Sequence, residues 1–363
     1  MDEAGQIEDA KLFAILARYP MLKKIILVGD PQQLQPYVPQ TMRELGYGKS
    51  TMERIMEIAK QAQLPSGQMC HVMLDEQHRM PPMISNVISG LYYNGRLRDA
   101  QASMHNGPRA GLPWKPLVVI DYQGGQMKWC SASRSFSNEN EAEVVRVVVD
   151  FVTQNAGGML DPPQRLSSRD FCILTPFRAH NNLLKRKLAG QTAEQIADEE
   201  DDSFNADPDR EFQSPFFQAT AQASQIPKGN IDTVDRFQGS EKAVVFVSAC
   251  VDSNLSRAAD PHFINVACSR AKHMLFLVGN FSALGKHPDW RCWLEEAQAE
   301  GVYINLGDVS NLITVNTMLR QTLLAPQDSR PSRGPGFMPD TRARSPRRQE
   351  RSGSPLRMIN PLR

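Results

Sequence analysis

Short apolar runs separated by helical stretches constrain the fold of this chain more than any other feature. Four such runs are LVVID (117–121), FCILT (171–175), AVVFVSA (243–249) and MLFLVG (274–279). A strand that is buried on both faces reads as a continuous apolar run, and such strands form parallel sheets covered by helices. Apolar residues at helical spacing mark the intervening stretches 138–154, 179–189 and 261–270. This alternation predicts an α/β fold with a parallel, doubly wound sheet.

The first quarter of the chain carries a similar alternation. Helical spacing predicts a helix over 6–19, which is followed by a strand in KKIILVGD (23–30). A second helix is predicted over 50–63, with Ser50 as its N-cap. The stretch 71–80 reads as the end of another strand, and a helix follows from Pro82 to Tyr92.

Two segments do not have the composition of a packed domain. Residues 190–228 contain five consecutive acids, which predicts a solvated acidic insertion loop or a docking surface for a basic partner. Residues 326–363 hold nine Arg against two Asp and one Glu, together with seven Pro. Such a segment buries too little apolar area to offset chain entropy, so we expect a disordered tail. The tail would bind nucleic acid electrostatically or only keep the protein soluble.

The cysteines and the hydropathy pattern bear on where the protein works. The six Cys are scattered without a C-x-x-C pair, which favours reduced thiols over disulfides or a zinc site. There is no signal peptide and no apolar run of membrane-spanning length. We therefore expect an intracellular protein of the cytoplasm or nucleus that does not contact a membrane.

Acidic and amide side chains near the start of the chain suggest phosphate chemistry. In DEAG (2–5), Asp2 is a candidate ligand of Mg²⁺ and Glu3 a candidate base that activates water. The alternative is an ordinary acidic helix N-terminus. In GDPQQLQP (29–36), Asp30 and Gln33 follow a predicted strand, where a neutral amide can contact a γ-phosphate. The alternative is a simple turn.

Two arginines and one glycine-containing loop extend this pattern. Arg79 precedes a predicted helix and Arg270 ends one. The two guanidinium groups could bind phosphate oxygens together. The alternative interpretation is that each arginine forms an ordinary salt bridge at the surface. Gly239 has no side chain, so a ligand could approach the backbone closely there. Glu241 would accept a hydrogen bond from a ribose hydroxyl or orient an arginine.

Thr175 and Arg178 lie at the end of a different predicted strand, within ILTPF and the residue that follows it. Their hydroxyl and guanidinium groups suit the backbone phosphates of a nucleic acid.

A phosphate-binding loop is not found in the sequence. GYGKST (46–51) is close to the pattern G-x₄-G-K-[ST], but Arg43 stands where the first glycine is required. The preceding residues contain two prolines and do not read as a buried strand. No other G-K-[ST] occurs in the chain.

Six motifs stand together in one order. They are DEAG, GDPQQLQP, EQHRM, ILTPF, VDRFQGSEK and VACSRAKHMLFLVGN. Over about residues 1–285 the chain resembles the C-terminal half of superfamily 1 helicases of the up-frameshift type. The resemblance implies the RecA-like P-loop NTPase fold, in which two RecA-like domains clamp ATP and Mg²⁺ while single-stranded RNA or DNA crosses both.

The resemblance also implies roles for the candidate residues. Arg79 and Arg270 would reach the γ-phosphate, with Gln33 as its sensor. Asp2, Asp30, Gly239 and Glu241 would belong to the nucleotide site, with Asp2 on the metal. Thr175 and Arg178 would contact the nucleic-acid strand.

The expected domain organisation follows from the same resemblance. Residues 1–66 would be the truncated end of a first RecA-like domain, and 67–289 a complete second domain. Residues 290–325 would form a helical extension ahead of the basic tail. The missing N-terminal helicase portion would be supplied in cis or in trans, and the isolated chain would be inactive without it.

Two functions remain open on sequence alone. The first is the C-terminal part of an ATP-dependent RNA or DNA helicase that lacks its own Walker A loop. The second is a catalytically inactive nucleic-acid-binding or scaffold protein derived from a helicase. Replacement of Arg270 by Ala discriminates them, because only the first function has an ATP-dependent activity to lose.

Overall fold

The computed structural model describes residues 1–61, 71–108, 114–156, 166, 167, 169–189, 230–237, 239–309 and 311–324. The predicted acidic insertion at 190–228 and the predicted tail at 326–363 lie outside these residues. The strands are β1 Glu76–Gln77, β2 Arg98–Asp99, β3 Leu117–Tyr122, β4 Lys128–Cys130, β5 Ser135–Ser137, β6 Phe171–Thr175, β7 Asn230–Thr233, β8 Lys242–Ser248, β9 Ala271–Gly279 and β10 Tyr303–Gly307. The helices are α1 Asp9–Arg18, α2 Gln40–Met42, α3 Thr51–Gln61, α4 Pro82–Tyr92, α5 Glu139–Asn155, α6 Arg178–Leu184, α7 Pro261–Cys268, α8 Phe281–Leu284, α9 Pro288–Ala299 and α10 Leu312–Leu323.

A six-stranded parallel sheet forms the centre of the described chain. Its strand order is β10-β3-β9-β8-β6-β7, and every pairing in it is parallel. The four apolar runs of the sequence supply β3, β6, β8 and β9, which are the four inner strands. Their side chains are almost all buried because helices cover the sheet. The predicted α/β fold with a parallel, doubly wound sheet is thereby confirmed.

Two groups of helices pack on the sheet. One group comprises α5, α6 and α10, and the other comprises α4, α7, α8 and α9. Aromatic rings fill the layer around the central strands: Phe246 on β8 stacks on Phe276 on β9 with ring centroids 5.1 Å apart. Trp114 meets Phe276 edge-on at 6.1 Å and stacks on Phe151 of α5 at 6.0 Å. These contacts tie the first helix group to the sheet.

Polar side chains cap several helix starts: the predicted cap Ser50 accepts from the Glu53 N–H at 3.1 Å. The Asn138 side chain accepts from the Glu141 backbone N–H at 3.1 Å and caps α5. Asp260 caps α7 by accepting from the His262 N–H at 2.9 Å, and Pro261 occupies the first helical position.

The predicted buried strand at 23–30 is wrong. Among the residues that the structure describes, none in this segment is assigned to a strand. Its backbone pairs with the chain start, through Ala4 N–H to Val28 O and Val28 N–H to Met1 O, both 2.8 Å. Ile26 remains 67% exposed. Strand side chains need a layer of protein on each face to be buried, and the described residues place none over Ile26. The stretch 71–80 likewise contains only the two-residue strand β1, paired with β2.

The structure adds elements that the sequence reading did not contain. The hairpin β4–β5, the edge strand β7 and the edge strand β10 are all short and partly polar, so they lack a continuous apolar run. Strand β10 lies inside the stretch 290–325, which was expected to be helical, and it pairs with β3. The sheet therefore extends past residue 289, and only α10 and most of α9 fulfil the helical expectation.

Within the described part of the chain, none of the helices has the length and apolar character needed to cross a membrane.

Candidate nucleotide site and nucleic-acid interface

Arg270 lies at the amino edge of the sheet, directly before β9. Its side chain is only 2% exposed, and its Nε donates to the Val266 carbonyl at 3.0 Å. Its Nη2 donates to the amide oxygen of Gln33 at 2.9 Å. Burial lowers the pKa of Arg270 to about 10, with the neighbouring Arg79 charge acting in the same direction. The guanidinium therefore stays charged at neutral pH, and its hydrogen bonds fix this positive charge next to the Gln33 loop.

Arg79 reaches the same edge from the loop before α4. Its Nε donates to the Glu241 carboxylate at 2.7 Å, and its Nη1 donates to the Ser269 carbonyl at 3.1 Å. Lys272 contacts the other oxygen of Glu241 at 2.7 Å. Hydrogen bonds from Lys272 and Arg79 hold the pKa of Glu241 below its usual value. In this arrangement Glu241 is bonded to Arg79, whose charge lies close to Arg270.

The loop that carries Asp30 and Gln33 is held against α4 and α7. Gln33 Nε2 donates to Asp30 Oδ2 at 3.1 Å, and the Tyr93 hydroxyl donates to the same oxygen at 2.6 Å. Asn265 Nδ2 donates to the Tyr93 hydroxyl at 3.1 Å and to the Gln32 carbonyl at 2.9 Å. Burial raises the pKa of Tyr93, with the Asp30 charge adding to the effect.

Tyr93 and Asn265 were not singled out from the sequence. The available signal was a polar residue, Asn265, inside the apolar stretch FINVAC that forms α7.

DEAG and GDP lie in contact through two glycines. A Cβ on Gly29 would be 2.7 Å from the backbone nitrogens of Ala4 and Gly5, so only glycine allows this approach. Glu3 adopts a left-handed backbone with φ of 49°. A Cβ on Gly239, whose φ is 80°, would lie 3.9 Å from the Glu3 carboxylate. Glu3 and Gly239 therefore join the cluster of Arg79, Arg270 and their partners.

The carboxylates near this cluster determine whether it could bind a metal ion. The described residues contain no group of three or more His, Cys, Asp or Glu side chains that could hold an ion. Asp2 offers one carboxylate, which accepts from the Glu3 N–H at 2.9 Å and is otherwise exposed. One or two protein carboxylates plus phosphate oxygens are the usual ligands of Mg²⁺. The residues present therefore fit Mg²⁺ that arrives with a phosphate ligand.

Thr175 and Arg178 lie at the opposite, carboxyl edge of the sheet. Thr175 ends β6 and is fully buried, and its hydroxyl has no hydrogen-bond partner within the described residues. Arg178 begins α6 and is exposed. Strand β6 has five residues, so its two ends lie about 13 Å apart, since each residue advances about 3.3 Å. The structure therefore separates this pair from Arg270 instead of bringing the two sets together.

Comparison with known proteins identifies the family. A family model described as an AAA domain matches residues 47–282. The chain belongs to this AAA domain family. It is similar to the probable helicase senataxin of Homo sapiens, at 27% identity over 359 residues, covering 92% of this chain and 12% of senataxin. It is also similar to helicase SEN1 of Saccharomyces cerevisiae, at 25% identity over 286 residues, covering 76% of this chain and 11% of SEN1.

These matches confirm that this AAA domain is a superfamily 1 helicase region of the up-frameshift and Sen1 type, with a RecA-like fold. The chain spans about an eighth of the length of senataxin and of SEN1. A solved structure, that of the PRRSV helicase, has a TM-score of 0.36 and 15% identity, covering 78% of this chain and 35% of that one.

A buried polar network supports the carboxyl edge of the AAA domain. The Ser248 hydroxyl donates to Glu141 Oε1 at 2.6 Å, and the Cys250 N–H donates to the same oxygen at 2.7 Å. His180 Nδ1 accepts from the Asn138 N–H at 3.2 Å, so its Nε2 carries the proton and donates to Ser248 at 2.8 Å.

Burial shifts the pKa values of both ionisable members of this network. It raises the pKa of Glu141 to about 7 and lowers that of His180 to about 3. The network joins the starts of α5 and α6 to the end of β8. Its members are far apart in sequence, so no local motif indicated it.

Proposed function

We propose that this chain is the C-terminal part of an ATP-dependent helicase that translocates on single-stranded RNA or DNA. The closeness of Arg79 to Arg270, which itself contacts the Gln33 amide, carries the proposal. The two cations come from separate loops, and each has partners that set its direction: Glu241 and the Ser269 carbonyl for Arg79, Gln33 and the Val266 carbonyl for Arg270. Such a pair suits phosphate oxygens on which charge develops during transfer.

The nucleotide site uses residues of the amino edge. Arg79 and Arg270 bind the γ-phosphate, and Gln33 detects its loss through the amide that already contacts Arg270. Glu3 takes the proton of the attacking water, while Asp2 holds the metal. Asp30, Gly239 and Glu241 shape the site around them. Bound ATP and Mg²⁺ supply the phosphoryl group and the cation that neutralises its oxygens.

The nucleic-acid strand runs across the carboxyl edge. Arg178 contacts its phosphates. The Thr175 hydroxyl is fully buried at the end of β6 and has no partner within the described residues, so it reaches the strand only if the surface above it opens. Placing the strand and the nucleotide at opposite edges of one sheet lets β6, β8 and β9 transmit movement between them. The family resemblance favours RNA as the bound single strand, and single-stranded DNA is the alternative substrate.

The phosphate-binding loop is supplied from outside these 363 residues, in the same native polypeptide or by a partner. The chain contains no G-x₄-G-K-[ST], and Lys49 in its nearest approximation is paired with Glu57. Exposed apolar residues on the two extended segments at 23–30 and 71–75 support a further covering layer. They are Ile26, Val28, Val72 and Leu74.

The test is nucleic-acid-stimulated ATP hydrolysis by the native polypeptide that carries these residues. Arg270→Ala is expected to lower kcat by about 10³-fold or more, the range of a phosphate-contacting arginine, while single-strand affinity stays within about twofold. Lys49→Ala is the matched control and is expected to leave kcat unchanged. Full hydrolysis by the Arg270 variant would overturn the proposed site.

The alternative is a nucleic-acid-binding scaffold without motor activity, and the missing phosphate loop favours it. In that case the native polypeptide binds single strands, and neither it nor the Arg270 variant hydrolyses ATP above background.

A further inference from the structure

Trp129 presents an aromatic ring to solvent on the hairpin β4–β5. It is 57% exposed, whereas the other three tryptophans of the sequence, Trp114, Trp290 and Trp293, are buried. Its ring meets Phe136 edge-on, with centroids 4.9 Å apart and an interplanar angle of 64°. An edge contact of this kind supports the ring and leaves area for a second partner.

The hairpin is anchored beside Thr175 and Arg178. Phe136 meets Phe177 edge-on at 5.7 Å, and Phe177 is the residue between Pro176 and Arg178. The Ala179 N–H donates to the Ser135 hydroxyl at 3.2 Å, which fastens β5 to the start of α6. A line of three aromatic rings therefore leads from the carboxyl edge of the sheet out to Trp129.

The charges around Trp129 are mostly positive. Lys128 on β4 and Arg134 in the turn are both exposed. Asp252 contacts the chain just before the hairpin, where its carboxylate accepts from the Met127 N–H at 3.1 Å, and it also accepts from the Asn254 N–H at 2.9 Å. Lys128 and Arg134 are the charged side chains that residues 124–137 themselves expose.

We propose that Trp129 is a stacking platform for an unpaired nucleobase of the single strand, with Lys128 and Arg134 on the adjoining phosphates. The proposal rests on the proposed nucleic-acid function and assigns a residue beyond the family motifs. An aromatic ring between cations matches a base and its phosphates, because every base offers a π-face. An apolar protein partner would instead need a contiguous apolar patch, and the exposed neighbours of Trp129 in the hairpin are mainly Lys128, Ser131 and Arg134.

The experiment uses the fluorescence of the full 363-residue chain titrated with a single-stranded oligouridine of about 12 nucleotides at low salt. Because Trp129 is the one exposed tryptophan, quenching on binding reports stacking at that position. Trp129→Ala is expected to abolish the quenching and to weaken Kd about fivefold or more, measured by anisotropy of a labelled strand. Trp129→Phe is expected to keep most of the affinity because it retains a ring.

Tyr19→Ala is the matched control, since Tyr19 is 60% exposed just after α1, far from the hairpin in sequence. The Kd of this variant is expected to match that of wild type. Unchanged melting temperatures check the fold of each variant. If wild type and Trp129→Ala bind the strand with the same Kd and the same fluorescence change, Trp129 is not a stacking platform, while the proposed function stands. If wild type binds no single strand, both proposals fail.

Discussion

Replacing Glu141 by Gln perturbs a carboxyl group that is wholly buried at the start of α5. The carboxylate accepts from the Ser248 hydroxyl and from the Cys250 and Val251 N–H groups. Burial nevertheless outweighs these donors and raises the pKa of Glu141 from 4.5 to about 7. Each pKa unit corresponds to about 1.4 kcal/mol, so the shift corresponds to at most about 3 kcal/mol of folding free energy.

The direction with pH follows from which state binds the proton. With its pKa raised, folded Glu141 holds a proton that the unfolded chain releases above pH 4.5. Its stabilising contribution is therefore complete below 4.5 and disappears as the pH rises through about 7. His180 acts oppositely, because its pKa is lowered to about 3 and its contribution is lost as the pH falls below 6.5. Subtracting the variant from wild type isolates the Glu141 contribution.

The assay is urea unfolding of wild type and Glu141→Gln at several values between about pH 5 and pH 8. The difference in unfolding free energy, wild type minus variant, is expected to fall by about 2–3 kcal/mol across that range. Glu143→Gln is the control on the same helix. The pKa of Glu143 is lowered by hydrogen bonds from Lys187 and Arg146 against a burial effect that raises it, so its contribution is complete above 4.5 and its difference should stay flat from about pH 5 to pH 8. A Glu141 difference that is flat with pH would refute the reasoning.

Two further substitutions test the contacts of the nucleotide site. Gly29→Ala places a Cβ 2.7 Å from the Ala4 nitrogen. It is expected to lower the free energy of unfolding by about 1–3 kcal/mol and to speed hydrogen exchange of the Ala4 amide. Gly90→Ala is the control, because a Cβ there has no atom within 4 Å and should not destabilise the protein. Normal exchange at Ala4 would contradict the close approach. Tyr93→Phe removes the 2.6 Å hydrogen bond to Asp30 and is expected to cost about 1–3 kcal/mol in urea unfolding. A change below about 0.5 kcal/mol would show that this contact does not hold the loop.

The inner strands of the sheet were predictable because their signal is local. β6 begins and ends where the apolar run FCILT does, and α4 has its predicted bounds. Residues 23–30 gave the same kind of signal, but burial of a strand depends on neighbours that lie elsewhere in sequence, and Ile26 has none above it in the described structure. The apolar pattern of a segment indicates which side chains it could bury, but it does not indicate which other parts of the protein will pack over them.

The sequence by itself determined the fold class, the inner strands and the motif residues that mark a superfamily 1 helicase region. Only the tertiary structure decided the strand order, added β10 as an edge strand, and set Arg270 and Thr175 at opposite edges. It alone joined Tyr93 to Asp30 and Glu141 to Ser248, across 63 and 107 residues. Such contacts depend on how the whole chain packs, because a buried polar group takes whichever partner the fold brings within hydrogen-bond distance.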